Sequence, residues 1–183
     1  MIMQVLKQKK GFTLIELLVV ISIIGILATI VIADYNGEIK RNRVRVAGET
    51  LYGELQYMRT MVSSGSSDGV TGDLYCWGIA LSESEFEKIY IKYVDGIGCD
   101  YSALTVDKEI YLGSGISAGF DDGFSGGYVF FVPPFADMYV FDENFSDLTA
   151  SLSGLNVVLS GGGTDLQRIV SFDFLTDNFA LNE

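Results

Sequence analysis

Hydrophobic and polar positions follow two different patterns along this chain, and the first is an almost unbroken apolar run. Residues 12–32 are apolar or small except for Thr13, Glu16, Ser22 and Thr29. A helix of these 21 residues is about 31 Å long, close to the roughly 30 Å of hydrocarbon in a bilayer. Burying a helix that is apolar on all faces needs a larger core than this chain can build. We therefore predict a transmembrane helix at residues 12–32.

The helical pattern continues beyond this run as one apolar stripe. Apolar or small residues recur at alternating spacings of four and three, a helical period: Val44, Gly48, Leu51, Leu55, Met58 and Val62. No proline occurs before Pro133, and Gly65 lies in a serine-rich stretch that is typical of a helix C-terminus. The pattern predicts one helix over residues 12–64. Its second, amphipathic half, within residues 33–65, should pack on the rest of the chain.

After Gly65 the period changes to two, which predicts strands. The predicted strands are residues 74–81, 88–94, 110–113, 128–132, 138–141, 156–160 and 168–174. In the second strand we expect Ile89, Ile91 and Tyr93 to face the core, with Lys88, Tyr90 and Lys92 on the opposite face. Short strands between Gly-, Asp- and Ser-rich turns favour an antiparallel sheet. One long helix followed by several strands indicates an α+β fold with a β-rich head at residues 66–183.

Charge is distributed unevenly and limits the functions this chain can have. The net charge is −12, and residues 66–183 contain 19 acidic and four basic residues. An acidic head repels DNA phosphates, so we expect no direct nucleic acid binding. The chain has no histidine, which removes most zinc sites and the usual catalytic triads. We predict no enzymatic activity, no cofactor and no metal site. Three loops are acidic, at residues 95–100, 121–122 and 142–147, but none has the spacing of an EF-hand. We therefore interpret their carboxylates as solvated and not as calcium ligands.

Basic residues flank the apolar run on both sides. Lys7, Lys9 and Lys10 precede it within residues 1–11. This leader differs from a secretory signal peptide because the apolar run is too long and no A-x-A cleavage site follows it. A second cluster follows the run: Lys40, Arg41, Arg43 and Arg45. It starts about 12 Å along a helix beyond Ile32. This cluster is positioned for lipid phosphates or for acidic neighbours, or it is a solvated helix face.

The junction between leader and apolar run reads G-F-T-L-I-E, from Gly11 to Glu16. It closely resembles the signal segment of type IV pilins and type II secretion pseudopilins. The resemblance implies that prepilin peptidase cuts between Gly11 and Phe12 and methylates the new amine of Phe12. It also implies a single-pass inner-membrane protein with its N-terminus in the cytoplasm, and with its head in the periplasm or outside the cell.

Glu16 is the unusual residue of the apolar run. An unpaired carboxylate in hydrocarbon costs several kcal/mol, so the residue should find a partner or become protonated. In the family that the segment resembles, cleavage creates an amine at Phe12, and we expect Glu16 to pair with the Phe12 amine of a neighbouring subunit. Such a pair fixes register better than it adds stability. The alternative is a glutamate that snorkels to the interface.

The head resembles the GspH/FimT type of minor pseudopilin. The matching positions are Leu55, Arg59 and Gly65 at the helix end, and Trp77, Gly78 and Ile79 in a W-G-[VI] strand. The chain departs from the pattern in several places. Met58 and Met61 replace alanines, Ala33 stands where many members have a proline, no glycine follows "FVPPF", and Asp177 with Asn178 replaces a glycine in the closing hairpin.

Cys76 and Cys99 are the only cysteines. An extracytoplasmic head lies where disulfides persist, and one cysteine is in a predicted strand while the other closely follows the next strand. We predict a disulfide between them, which would contribute about 3–4 kcal/mol by closing a loop of about 24 residues. The alternative is two buried free thiols.

Together these features favour a structural subunit, a minor pilin or minor pseudopilin, of a type IV pilus or type II secretion filament. The implied partners are prepilin peptidase, other pilins or pseudopilins, the inner-membrane assembly platform and membrane lipid. The alternative is a tip adhesin or a DNA-uptake pilin that binds a ligand through its head. A membrane-anchored enzyme is disfavoured because no Ser, Cys or carboxylate has a recognisable catalytic arrangement.

Overall fold

The computed structural model of the protein describes residues 12–65, 73–82, 86–120, 124–161 and 167–182. The chain divides into two compact units, residues 1–39 and 40–183. The α-helix α1 runs from Leu14 to Ser63 and contributes residues to both units. The α+β class predicted from the sequence is confirmed by this helix and the antiparallel strands that follow it.

The first unit contains the apolar part of α1. Among the side chains that the structure describes in this part of the helix, the large apolar ones are exposed, from 46% for Val20 to 86% for Leu14. Among the residues that the structure describes, no helix meets the combined length and hydropathy of a candidate membrane span.

The second half of α1 buries the predicted stripe. Val44, Leu51, Leu55, Met58 and Val62 are at most 2% exposed, and Gly48 is buried with them. The helix ends where Gly65 adopts a positive φ of 64° and donates its N–H to the carbonyl of Val62 at 3.1 Å. Glycine reaches this conformation without the steric penalty of a Cβ, so the predicted C-terminal stop is confirmed.

In the described ranges, ten strands form two antiparallel sheets. The first sheet contains β1 (Tyr75–Leu81), β2 (Phe86–Val94), β3 (Gly98–Cys99), β4 (Thr105–Ile110), β6 (Gly127–Val132) and β7 (Asp137–Asp142). Its order is β3-β2-β1-β6-β7, and β4 also pairs with β2. The second sheet contains β5 (Ile116–Phe120), β8 (Gly154–Gly161), β9 (Gln167–Asp173) and β10 (Asn178–Asn182), in the order β10-β9-β8-β5.

Two hydrophobic clusters fill the head. The larger joins the stripe of α1 to both sheets, through residues such as Ile79 of β1 and Val157 of β8. The smaller lies on the opposite face of the first sheet, around Cys76, Ile91 and Phe130. Because successive strand residues point to opposite faces, β1 and β6 contribute to both clusters. The first sheet is therefore covered on both sides.

Several strand predictions were wrong. The strand predicted at 110–113 lies instead at Thr105–Ile110, where all residues but Ile110 are exposed and the alternation of burial is lost. β3, β5 and β10 were missed: the first has two residues, and the other two are short. The predicted alternation in β2 holds, since Ile89, Ile91 and Tyr93 contact the smaller cluster and Lys88 lies on the other face. That face is covered as well, by α1, and Lys88 is only 8% exposed.

Candidate functional site

A reciprocal capping box closes the N-terminus of α1. The backbone N–H and the hydroxyl of Thr13 both donate to Oε2 of Glu16 at 2.9 Å. The backbone N–H of Glu16 donates back to Oγ1 of Thr13 at 3.3 Å. This exchange satisfies donors that the first helical turn leaves without partners. Glu16 therefore fixes the start of the helix within its own chain.

Sequence reasoning missed this role. A Thr followed three residues later by Glu, at the start of an apolar run, is a recognised capping signature. The cap uses Oε2, and Oε1 receives no hydrogen bond from any residue in the described ranges. One carboxylate oxygen is thus available for a second partner. Phe12, the first residue that the structure describes, is 84% exposed. Gly11 and the leader lie outside the described residues, so cleavage, methylation and pairing with a neighbour's amine stay predictions.

The basic cluster after the apolar run splits into two groups. Nε of Arg45 forms an ion pair with Oε1 of Glu49, one turn further along α1, at 2.9 Å. Lys40 and Arg43 instead line a pocket with Gly115 and other residues at the ends of β5 and β8. Among the described residues, Arg45 is the one member of the predicted cluster with an internal counter-charge.

Lys88 is a buried cation in the head, only 8% exposed. Its ammonium lies 2.8 Å from Asp107 and 3.9 Å from Glu54. It also lies 5.0 Å from the ring centre of Tyr57 and 5.5 Å from that of Trp77. Two carboxylates and two aromatic faces offset the desolvation of the charge. The lysine therefore links α1 to the first sheet rather than facing solvent.

The two cysteines lie in the smaller hydrophobic cluster. Cys76 of β1 is 0% exposed and Cys99 of β3 is 9% exposed. Both strands pair with β2, and the structure joins the two sulfurs in a disulfide with a Cα–Cα distance of 6.1 Å. Whether the bond forms in the native compartment stays a prediction, tested below.

The W-G strand has a steric reason for its glycine. A Cβ added to Gly78 would lie 2.5 Å from the carbonyl oxygen of Val129 and 2.6 Å from Phe130 Cδ1. The glycine thus allows β1 and β6 to pack closely. Arg59, another matching position, places its guanidinium 5.8 Å from the ring centre of Phe179 and connects α1 to β10.

Asp177 occupies the glycine position of the closing hairpin. It adopts a positive φ of 50°, which aspartate tolerates better than most residues. Its Oδ1 accepts the backbone N–H of Met138 at 2.8 Å. The replacement of glycine therefore adds a contact between the β9–β10 turn and the first sheet.

The acidic loops use their carboxylates locally. The hydroxyl and N–H of Ser102 donate to Asp100, and the amides of Ser146 and Asn144 donate to Asp142. These hydrogen bonds lower the pKa of both carboxyls below the usual value, chiefly through Ser102 for Asp100 and Ser146 for Asp142. Within the described ranges, no three acidic or cysteine side chains are grouped so that they could hold a metal ion.

The N-terminal segment matches a family model, and longer stretches of the chain match known proteins. The family model described as "Prokaryotic N-terminal methylation motif" matches residues 6–32. The chain is also 30% identical over 142 residues to a Type IV major fimbrial protein FimA of Dichelobacter nodosus, a match that covers 63% of this chain and 86% of that relative. The chain belongs to the type IV pilin family.

Other relatives of this pilin match over shorter stretches. A second FimA sequence from Dichelobacter nodosus is 49% identical over 65 residues, which is 35% of the pilin and 38% of the relative. Fimbrial protein Q of Moraxella bovis is 41% identical over 78 residues, which is 42% of the pilin and 45% of the relative. In these two alignments the pilin spans less than half of the relative's length. No solved structure matches the pilin.

Proposed function

We propose that this pilin is a structural subunit, a minor pilin or minor pseudopilin, of a type IV pilus or type II secretion filament. The observation that carries the proposal is the G-F-T-L-I-E segment at the start of α1, within the matched methylation motif. The exposed apolar side chains that follow it on α1 support the proposal, because they offer a surface to lipid and then to like helices.

Before assembly, residues 12–32 anchor the pilin in the inner membrane, with the lysine-rich leader in the cytoplasm and the head on the other side. Prepilin peptidase removes residues 1–11 and methylates Phe12. The assembly platform then moves the helix from lipid into a bundle of other pilins. The head carries no catalytic step and faces the outside of the filament.

The capping box gives the proposed register device a defined geometry. It holds the Glu16 carboxylate in the first helical turn through Oε2. Oε1 is then positioned for the Phe12 amine of the next subunit. A charged hydrogen bond of this kind is directional, so it selects one axial offset between neighbouring helices.

Processing is the direct test of the proposal. In a host with active prepilin peptidase, intact-mass measurement should give a protein of residues 12–183 with one methyl group on Phe12. A Gly11→Leu variant should keep its leader, because the larger side chain hinders the approach of the peptidase to the backbone. Recovery of the unmodified, full-length chain from such a host would refute the family function for this protein.

Stoichiometry separates a minor from a major subunit. Filaments purified from the native cell should contain this pilin at a small fraction of the most abundant pilin, as measured by quantitative mass spectrometry. If it is the dominant subunit, the minor assignment is wrong while the structural role stands.

A further inference from the structure

A small basic pocket lies beside the first turns of α1 in the second unit. It has a volume of about 220 Å³ and is lined by Lys40, Arg43, Ser114, Gly115, Ile116 and Gly161. Lys40 and Arg43 are three residues apart, so they share one face of the helix. The pocket is smaller than the roughly 300–1,000 Å³ of sites for drug-sized molecules. Its size therefore suits a small anionic group.

Backbone packing forms the pocket wall opposite the helix. Gly161, at the end of β8, is paired with Ile116 at the start of β5. A Cβ on Gly161 would lie 2.7 Å from Cγ2 of Val44 and 4.0 Å from the carbonyl oxygen of Lys40. The strand end therefore approaches α1 closely because the residue is glycine. Gly115, with φ of 79°, turns the chain into β5 beside it. The wall is thus part of the packed fold.

Lys40 and Arg43 have no counter-charge among the described residues, unlike the three lysines of the head. Lys88, Lys92 and Lys108 each form an ion pair with a carboxylate. In the parts of the chain that the structure describes, Lys40 and Arg43 have no such pair, although the protein has a net charge of −12. Ser114, beside them, contributes a hydroxyl donor. Two unpaired cations with a hydroxyl donor in one small pocket form a site for an oxyanion.

We propose that this pocket binds a phosphate group, supplied by the headgroup of an anionic phospholipid before the pilin leaves the membrane. The choice of lipid as the source rests on the membrane anchoring in the proposed function. Lys40 is eight residues beyond the apolar run on the same helix. The guanidinium of Arg43 binds two phosphate oxygens in a fork, and Lys40 contributes a point charge. The pocket would thus hold the anchored subunit at one depth and release it as lipid is exchanged for protein.

The test uses the full chain, isotope-labelled and inserted into nanodiscs. One arm contains phosphatidylcholine alone, a second adds phosphatidylglycerol in steps, and a third adds inorganic phosphate to the phosphatidylcholine discs. The readout is the amide chemical shift of Ser114 and Gly115, which line the pocket but carry no charge. We expect phosphatidylglycerol to shift both signals in a saturable manner.

Two charge-matched double variants separate a site from a general surface effect. Lys40→Gln with Arg43→Gln removes the pocket cations, and Arg41→Gln with Arg45→Gln removes the same charge from the same helix outside the pocket. Gln is a good helix former, so α1 should persist in both. Because only the pocket variant loses charge-assisted hydrogen bonds to the phosphate, we expect its apparent affinity for phosphatidylglycerol to fall at least about tenfold. The control should fall much less.

Each outcome decides the proposal. Saturable shifts with phosphatidylglycerol alone support the lipid headgroup, and shifts that inorganic phosphate reproduces support the phosphate site with a soluble source. Equal loss in both double variants, or no shift at Ser114 and Gly115, overturns the proposal. The proposal is also overturned if the Lys40→Gln, Arg43→Gln variant responds to phosphatidylglycerol like the wild type but crosslinks less to a second copy of the chain. The two cations would then contact protein and not lipid. Failure of the anchor appears separately, as failure of the wild type to insert into the discs.

Discussion

Glu16 has two roles that substitutions can separate. The structure gives it a capping role through Thr13, and the proposed filament gives it a charge-pairing role with the next subunit. Glu16→Gln keeps a side-chain oxygen for the cap, since capping boxes accept Glu or Gln, but removes the charge. Thr13→Val removes the hydroxyl from the cap and keeps the charge. Glu16→Ala removes both roles.

The expected magnitudes differ enough to be distinguished. Losing the capping side chain costs about 0.5–2 kcal/mol of helix stability. If recruitment requires the first helical turn to be formed, this lowers recruitment by about tenfold. Losing the charge leaves the neighbour's amine buried and unpaired, which costs about 3–5 kcal/mol. This corresponds to a loss of about a hundredfold or more in recruitment. Thr13→Val should therefore be mildly impaired, and both Glu16 variants severely impaired.

The assay is crosslinking of each variant to neighbouring pilins in membranes, with abundance and cleavage measured in parallel. All three variants should be cleaved, because Gly11 and the scissile bond are unchanged. Insertion of Glu16→Ala should equal or exceed that of the wild type, since a charge has been removed from the apolar segment. If Glu16→Gln crosslinks as well as the wild type, the charge is not the register device and the capping box accounts for the residue.

Three further predictions concern the head. A disulfide between Cys76 and Cys99 makes the chain two hydrogens lighter, which mass analysis without reductant should show. Cys76→Ser should lower the free energy of unfolding by about 3 kcal/mol. Two alkylatable thiols in protein from the native compartment would exclude the bond. Gly78→Ala should destabilise the head by about 1–3 kcal/mol in denaturant titration, because its Cβ meets backbone, whereas Gly53→Ala, with nothing within 4 Å of the new Cβ, should be neutral or stabilising; equal effects would contradict the packing argument. Burial and nearby negative charge raise the pKa of Tyr101 to about 12, above the usual value of about 10. The stability that the neutral phenol contributes should therefore be complete below pH about 10 and be lost as the pH rises through about 12. An absorbance titration, compared with Tyr101→Phe, that finds an ordinary phenol pKa would refute this.

The helix was the most predictable part of the molecule. Its stripe from Val44 to Val62 follows a fixed period over many residues, and burial selects that period directly. The start was predicted two residues early, at 12 rather than Leu14, because Thr13 caps the helix from outside it. The capping pattern was present in the sequence, but the apolar run concealed it.

Strand prediction failed where pairing, and not side-chain pattern, decides the structure. β4 is exposed along nearly its whole length and exists because it pairs with β2. The division into two sheets has no local signal either, since it depends on which strands become neighbours. Lys88 shows the limit most clearly. Alternation places Lys88 on the face opposite Ile89 and Ile91, but the sequence does not show that α1 covers this face or that Asp107, the bulged residue of β4, meets the ammonium there.

Short-range sequence was enough to propose the processing residues but not to predict long-range contacts. The roles of Gly11, Phe12 and Glu16 in cleavage, methylation and assembly stay predictions from the signal segment. The pocket at Lys40 and Arg43 required Gly161 from a strand more than a hundred residues later in the chain. Long-range proximity of this kind comes from the fold.

The surroundings of Lys88 give the protein a built-in optical reporter. Trp77 is the only tryptophan in the chain, and its indole contacts Tyr90 at 5.1 Å between ring centres and lies 5.5 Å from the Lys88 ammonium. The indole N–H is buried and has no hydrogen-bond partner among the described residues. Its emission should be blue-shifted while α1 lies against the first sheet, and red-shifted once water reaches that seam. Fluorescence therefore follows the folding of the head in the full-length, lipid-bound chain without any label.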